Sequence, residues 1–266
     1  MLRWCSYCQR FFGEAEPYED LSITHGVCAA CRPKLRALTD QDLEDSGRLQ
    51  AILDRLVTAG RSGDREAADH IVKNAIAQNV RAIDILIGFV APILYQIGED
   101  WRKGYITVAE EHQFTSCCEQ IFESLRDEVA VSRPTHPAYA GPVDVLLMNA
   151  PSNRHTLGLR ILAAWCADQG IPARVIYPSP AIDDLLTLIS ESRPRLIVIS
   201  IALTEQYPAV VRLVERVAAV PGHHPEILVG GYAVKMKLIP PIRGASLVTD
   251  LDSILAAIRK RDDSGR

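Results

Sequence analysis

The hydrophobic rhythm of this chain changes once, at a stretch punctuated by Pro134, Pro137, Gly141 and Pro142. Behind it, short apolar runs alternate with helical patterns. Val143 to Met148, Arg174 to Tyr177, Leu196 to Ser200, Ile227 to Val229 and Ser246 to Val248 read as strands. Helical segments lie between and after them, from Leu157 to Cys166, over 181–191, over 205–219 and over 250–260. Repeated βα units of this length require a parallel sheet with helices on both faces. Residues 143–261 are therefore expected to form a doubly wound, Rossmann-like domain, with 131–142 as the linker leading into it.

Ahead of the linker the period is helical. Leu49, Ile52, Leu53 and Leu56 keep i, i+3, i+4, i+7 spacing, and Ala68, Ile71, Val72, Ala75 and Ile76 repeat it. Ile83, Ile87, Val90, Leu94 and Ile97 form a third stripe that Trp101 continues, and Gly104 ends it. Thr107 and Glu110 have the T-x-x-E spacing of a capping box, opening a fourth helix striped by Val108, Glu111, Thr115, Cys118, Phe122 and Leu125. Four amphipathic helices with short connections predict an antiparallel bundle over 45–130. The fold class is thus α + α/β: a four-helix bundle cap, then the Rossmann-like sheet, with a small segment at 1–38 in front.

That first segment carries Cys5-Ser6-Tyr7-Cys8 and Cys28-Ala29-Ala30-Cys31. Two CxxC pairs separated this way make two tight knuckles that can hold one zinc with Cys5, Cys8, Cys28 and Cys31. So short a segment has too little core to fold alone, which is what a structural metal would supply. The pattern resembles a zinc-ribbon-like module found beside bacterial sensor and response-regulator domains, and the resemblance implies a signalling context.

Bulk properties exclude several classes. Net charge is −4 over 266 residues and no basic run stands out, so direct nucleic-acid binding is not expected. The N-terminus lacks the pattern of a secretion signal, and the apolar stretches near Ile83–Ile97 and Val143–Ala150 are too short or too interrupted to span a bilayer. Seven cysteines used this unevenly suit thiols in a reducing compartment, so a cytoplasmic setting without membrane attachment is expected.

Chemistry in such sheets gathers at the carboxyl ends of the strands. His155 and Gly158 follow the first strand, Ser200 and Thr204 close the third, and Gly230 and Gly231 follow the fourth. The first turn reads Asn149-Ala150-Pro151-Ser152-Asn153-Arg154-His155, not a glycine-rich phosphate loop, which disfavours NAD or FAD. In the bundle, Glu111 and His112 place ionisable groups along an apolar stripe, costly unless a partner or ligand meets them.

The order of bundle, linker and sheet domain, with His155-x-x-Gly158, Ser200 and Gly230-Gly231, resembles the cobalamin-binding module of methionine-synthase type. The resemblance implies that His155 coordinates cobalt from below and that the displaced nucleotide tail enters a slot near Gly158, Ser200, Gly230 and Gly231, with Thr204 a weaker correspondence. It also implies that the residue two before the histidine holds the imidazole; an acid is usual there, and this chain has Asn153. Trp101, nine residues, then Glu111-His112 is similar to the W-x9-EH signature of cobalamin-dependent photoreceptors. This implies a cap of Trp101, Glu111 and His112 over the upper adenosyl ligand and a light-broken cobalt–carbon bond. The chain departs from that family in lacking its DNA-binding domain and in carrying Arg102 where a histidine is usual. The expectation is therefore a non-enzymatic cobalamin sensor, holding adenosylcobalamin or another upper-ligand form plus zinc. It would signal through a protein partner such as a transcription regulator, with a homo-oligomer left open. The rival expectations are a methyl-shuttling corrinoid protein and a same-fold sensor of haem or a bilin.

Overall fold

Thr39 opens the first long helix by a reciprocal cap: its side chain accepts from the Asp42 N–H while its own N–H donates to the Asp42 carboxylate at 2.7 Å. This helix, α1 (Asp40–Ser62), stops at Gly63, whose φ of 68° is left-handed. Asp64 then caps α2 (Arg65–Ala77) by accepting the Ala67 N–H. The third helix, α3 (Ala82–Arg102), contains a five-residue π segment, Leu86–Val90. The expected capping box opens the fourth helix, α4 (Val108–Val131): Thr107 N–H and hydroxyl both donate to Glu110, and Thr107 Oγ1 accepts from Glu110 N–H. These positions belong to a computed structural model that describes residues 1–34, 39–131, 144–177, 179 and 181–264. The punctuated segment around Pro134 to Pro142 lies outside the described residues.

The chain divides into two units, Met1–Ser132 and Arg133–Arg266. In the first, Leu49, Leu53 and Leu56 of α1, Ala68, Val72 and Ala75 of α2, and Phe114, Cys118 and Leu125 of α4 are buried. On α3 the buried row is Leu86, Phe89, Val90, Ile93 and Ile97, whereas Ile87 and Leu94 are half-buried. Ile83, Val90 and Ile97 of the expected stripe are buried, and beside them Leu86 and Ile93 take the places expected of Ile87 and Leu94, one residue earlier on the same helix face. Among the described residues α3 is the one helix long and apolar enough to cross a membrane, and 72% of its apolar window is buried.

The N-terminal segment is part of this same unit. Strand β1 (Leu2–Cys5) pairs antiparallel with β2 (Phe11–Glu14) and parallel with β3 (Ile23–Gly26). The little sheet is fastened to the helices at two places. The Ile23 N–H donates to Gln50 Oε1 of α1 at 2.8 Å, and the fully buried Trp4 stacks on Phe89 with ring centroids 4.7 Å apart.

The second unit has a parallel five-stranded sheet in the order β5-β4-β6-β7-β8, built from β4 (Val145–Asn149), β5 (Ala173–Ile176), β6 (Leu196–Ser200), β7 (Glu226–Gly230) and β8 (Ser246–Leu247). The intervening helices are α5 (Leu157–Asp168), α6 (Ile182–Ser192), α7 (Tyr207–Ala218) and α8 (Tyr232–Lys235), with α9 (Leu251–Ser264) last. Central strands β4, β6 and β7 are apolar throughout most of their length because both faces are covered. From β4 the chain moves to one side of the sheet for β5 and returns to the other for β6. The crevice between the carboxyl ends of β4 and β6 is therefore the topological switch point, where ligands of such sheets bind.

Candidate functional site

The switch point is occupied by the loop that carries His155. β4 ends on Asn149, which is completely buried although polar, and its Nδ2 donates to the carbonyls of Asn153 (3.4 Å) and His155 (3.3 Å). Asn149 Oδ1 is buried without a hydrogen-bond partner. Asn153, also buried, accepts the His155 backbone N–H at Oδ1 (2.9 Å) and donates from Nδ2 to the Ser200 carbonyl of β6 (3.1 Å). The Ala150 N–H donates to the same carbonyl at 2.9 Å. Two asparagines thus bind the loop to both sides of the crevice. The His155 side chain is exposed and makes no hydrogen bond among the described residues.

Around this loop the glycines have different reasons. Gly231 has φ 103°, and a Cβ there would lie 2.6 Å from the Ile201 carbonyl and 3.2 Å from Ser200 Oγ. A Cβ on Gly230 would meet the Val248 carbonyl at 3.1 Å. The protein's own backbone requires the glycine at 231 and leaves little room for a side chain at 230. Gly158, in the first turn of α5, is the contrary case: a Cβ would meet nothing within 4 Å, so its missing side chain leaves open space beside the loop. Ser200 is half-buried, and Thr204 is exposed at the start of a short 3-10 turn, Thr204–Gln206.

In the first unit, the end of α3 and the start of α4 leave an apolar surface open. Trp101 is 41% exposed, Tyr105 74% and Val108 52%, an unusual grouping of large side chains. Glu111, in the first turn of α4, has its side chain only 18% exposed; Thr115 Oγ1 donates to its Oε1 at 2.7 Å, and His112 Nε2 is 3.5 Å from its Oε2. Glu110 is the exposed cap, its carboxyl held below the usual range by the Thr107 N–H and hydroxyl. Arg102 is exposed but tied down. Its Nε and Nη2 fork onto the buried Glu99 at 3.0 and 2.6 Å, which Lys103 also approaches at 3.1 Å. The next residue, Asp100, is held by Arg61 (3.1 Å) and Gln96 (2.8 Å). These pairs fasten the α3 terminus that presents Trp101.

The third constellation is the cysteine quartet. The ligand atoms of Cys5, Cys8, Cys28 and Cys31 all lie within 4.8 Å of one another. Burial opposes ionisation of Cys5, but the N–H groups of Cys28, Cys8 and Tyr7 and the Cys8 side chain outweigh it and bring the thiol down to about 7. Burial pushes the Cys8 and Cys31 thiols the other way, up; four convergent thiols are a donor set that could hold a metal ion such as zinc.

Two family models match the chain, both described as B12 binding domains. One covers residues 52–126, the bundle, and the other 143–237, the sheet domain, together more than half of the sequence. The chain belongs to the B12-binding family. A curated relative, the "uncharacterized 20.5 kDa protein in bchF-crtJ intergenic region" of Rhodobacter capsulatus, is 24% identical over 182 residues, which is 68% of this chain and 93% of that protein. Among solved structures, the monomethylamine corrinoid protein of Methanosarcina barkeri is similar in fold, with a TM-score of 0.63, 17% identity, and coverage of 75% of this chain and 93% of that one.

The residues present fit a corrinoid. His155 is exposed at the switch point on a loop fixed by Asn149 and Asn153, and an imidazole nitrogen is a fit donor for cobalt. Gly158 leaves open space beside that loop. The exposed Trp101–Tyr105–Val108 surface of the bundle is the kind of apolar wall that a large flat ligand covers. Sequence reasoning missed Asn149, Tyr105 and Thr115. A polar residue ending an apolar strand was a readable signal for Asn149. Thr115 was read only as part of a stripe, and Tyr105, beside Gly104, was passed over as turn.

Proposed function

We propose that this B12-binding chain is a light-responsive sensor that signals through a protein partner, with His155 as the lower axial ligand and Trp101, Glu111 and His112 in contact with the upper one. The observation that carries the reading is at the bundle: Trp101 is exposed at the end of α3 and Thr115 holds the Glu111 carboxylate in the first turns of α4, the two in the W-x9-EH spacing of cobalamin photoreceptors. Bound adenosylcobalamin would supply a cobalt–carbon bond that light breaks. The chain's own part is to present His155 on a fixed loop, to accept hydrogen bonds at Glu111 Oε2 and to cover the upper ligand with Trp101. Loss of those contacts is the differential interaction that would shift the conformation seen by a partner. Gly158, Ser200, Gly230, Gly231 and Thr204 belong to the nucleotide-tail side of this reading. Cys5, Cys8, Cys28 and Cys31 would hold one structural zinc.

The test is the absorption spectrum and elution volume of the protein loaded with adenosylcobalamin, before and after green light. The sensor reading expects photolysis to change both; an unchanged elution volume and unchanged partner binding would sink it. The likeness in fold to a monomethylamine corrinoid protein favours the rival, a methyl carrier for methyltransferases. That reading expects tight binding of methylcobalamin and methyl transfer to an acceptor methyltransferase. The family models concern B12, and haem and bilins have no place in either reading.

A further inference from the structure

The π segment of α3 coincides with the place where the N-terminal sheet enters the bundle. Gly88 sits in the middle of Leu86–Val90, and a Cβ there would lie 2.6 Å from the Trp4 ring and 2.9 Å from Phe11. Trp4 is fully buried, stacked on Phe89 and edge-on to Phe11 at 5.8 Å. It directly precedes Cys5, the first of the four convergent thiols. A π turn takes up about one residue more than an α turn, and one residue is about 100° of azimuth, so the segment decides which way every residue beyond it faces. Trp101 lies thirteen residues beyond Gly88 on the same helix, about 20 Å along its axis.

We infer that Trp4 is a positioning residue for the cofactor cap: the metal-closed N-terminal sheet wedges Trp4 against Gly88 and Phe89, holds the π turn, and so fixes the face on which α3 presents Trp101. The four-cysteine centre then acts on the B12 site through the shared helix. The inference rests on the zinc reading for its lock and on the B12 reading for its consequence, while the wedge itself rests on neither. A π turn is disfavoured relative to an α turn and persists where neighbours over-determine it. Here the neighbours are two aromatic rings filling the space that Gly88 leaves.

The test is hydrogen exchange of the cofactor-free full-length chain, followed over 86–102, in wild type, Trp4→Ala and Trp4→Phe, with zinc measured in each. The expected result is exchange at 86–102 at least about tenfold faster in Trp4→Ala, restored to within about threefold by Trp4→Phe, with α2 unchanged. Chelating the metal from wild type should accelerate the same segment. With adenosylcobalamin bound, Trp4→Ala should change the dark absorption spectrum or the photolysis rate, and Trp4→Phe should restore it. Exchange at 86–102 unaltered in Trp4→Ala, or Trp4→Phe behaving no better than Trp4→Ala, overturns the inference. Should Trp4→Ala fail to fold, Trp4→Phe alone and the chelated wild type decide it: acceleration confined to residues 1–34 overturns it. Absence of zinc in wild type removes the lock and leaves the Trp4 comparison standing. Failure to bind B12 leaves the exchange results unaffected.

Discussion

The Oδ1 atom of Asn153 accepts the backbone N–H of His155 at 2.9 Å, so the asparagine holds the loop carrying the histidine and not the imidazole. Its Nδ2 is equally committed, donating to the Ser200 carbonyl at 3.1 Å. The imidazole–amide hydrogen bond expected from the motif is absent in this arrangement. The side chain's work is to span the crevice between β4 and β6.

Asn153→Asp should therefore be harmful at neutral pH even though an acid is usual in related motifs. The new carboxylate oxygen would face the Ser200 carbonyl with no proton to offer, a buried acceptor pair costing about 1–3 kcal/mol. Burial raises the carboxyl's folded pKa above its unfolded value, so the cost is present above the folded pKa and relieved as pH falls through it. Urea unfolding at pH 7.5 and pH 5 should show the deficit shrinking at the lower pH; a deficit independent of pH would contradict this account of the loop.

Asn149 makes a second test of the same clamp. Asn149→Ala removes both hydrogen bonds to the Asn153 and His155 carbonyls and leaves a small void at a fully buried position. The expected result is a loss of about 1–3 kcal/mol in stability of the sheet domain, with cobalamin affinity falling about tenfold. Titration of hydroxocobalamin followed by absorbance checks it, and undiminished affinity would show that the loop needs no such support.

On the bundle, Thr115→Val frees Glu111 Oε1 without altering the shape of the side chain greatly. If Glu111 meets the upper ligand, adenosylcobalamin should bind about three- to tenfold more weakly while hydroxocobalamin is unaffected. Equal losses for both forms would place the effect in the fold of α4 and not in the ligand contact.

The cysteine quartet predicts stoichiometric zinc in the purified protein and none in a Cys5→Ser/Cys28→Ser double variant, measured by metal analysis. Because each thiol must lose its proton to bind, zinc should be released as pH falls. Since Trp4 is locked between Phe89 and Phe11, metal loss should also lower the melting temperature of the bundle. Retained zinc in the double variant would contradict the four-cysteine assignment.

Much of this was legible in the sequence where one local rule decides one structure. The apolar run Leu196–Ser200 became a central strand, and Thr107 with Glu110 formed the cap their spacing requires. The cysteine spacing led to four thiols within 4.8 Å of one another. What stayed hidden depends on contacts between segments distant in sequence. The π segment of α3 sits where Trp4 and Phe11, more than seventy residues earlier, fill the space at Gly88. Asn149 stood out as a polar residue ending an apolar strand, but its partners did not, because they are carbonyls of a loop whose path no periodicity encodes.

The most direct test of the central claim is the absorption spectrum of the full-length chain loaded with adenosylcobalamin in the dark, compared with His155→Ala. The account predicts a lower-ligated spectrum for wild type and a shift to the base-off form in the variant. An unchanged spectrum in His155→Ala would contradict it.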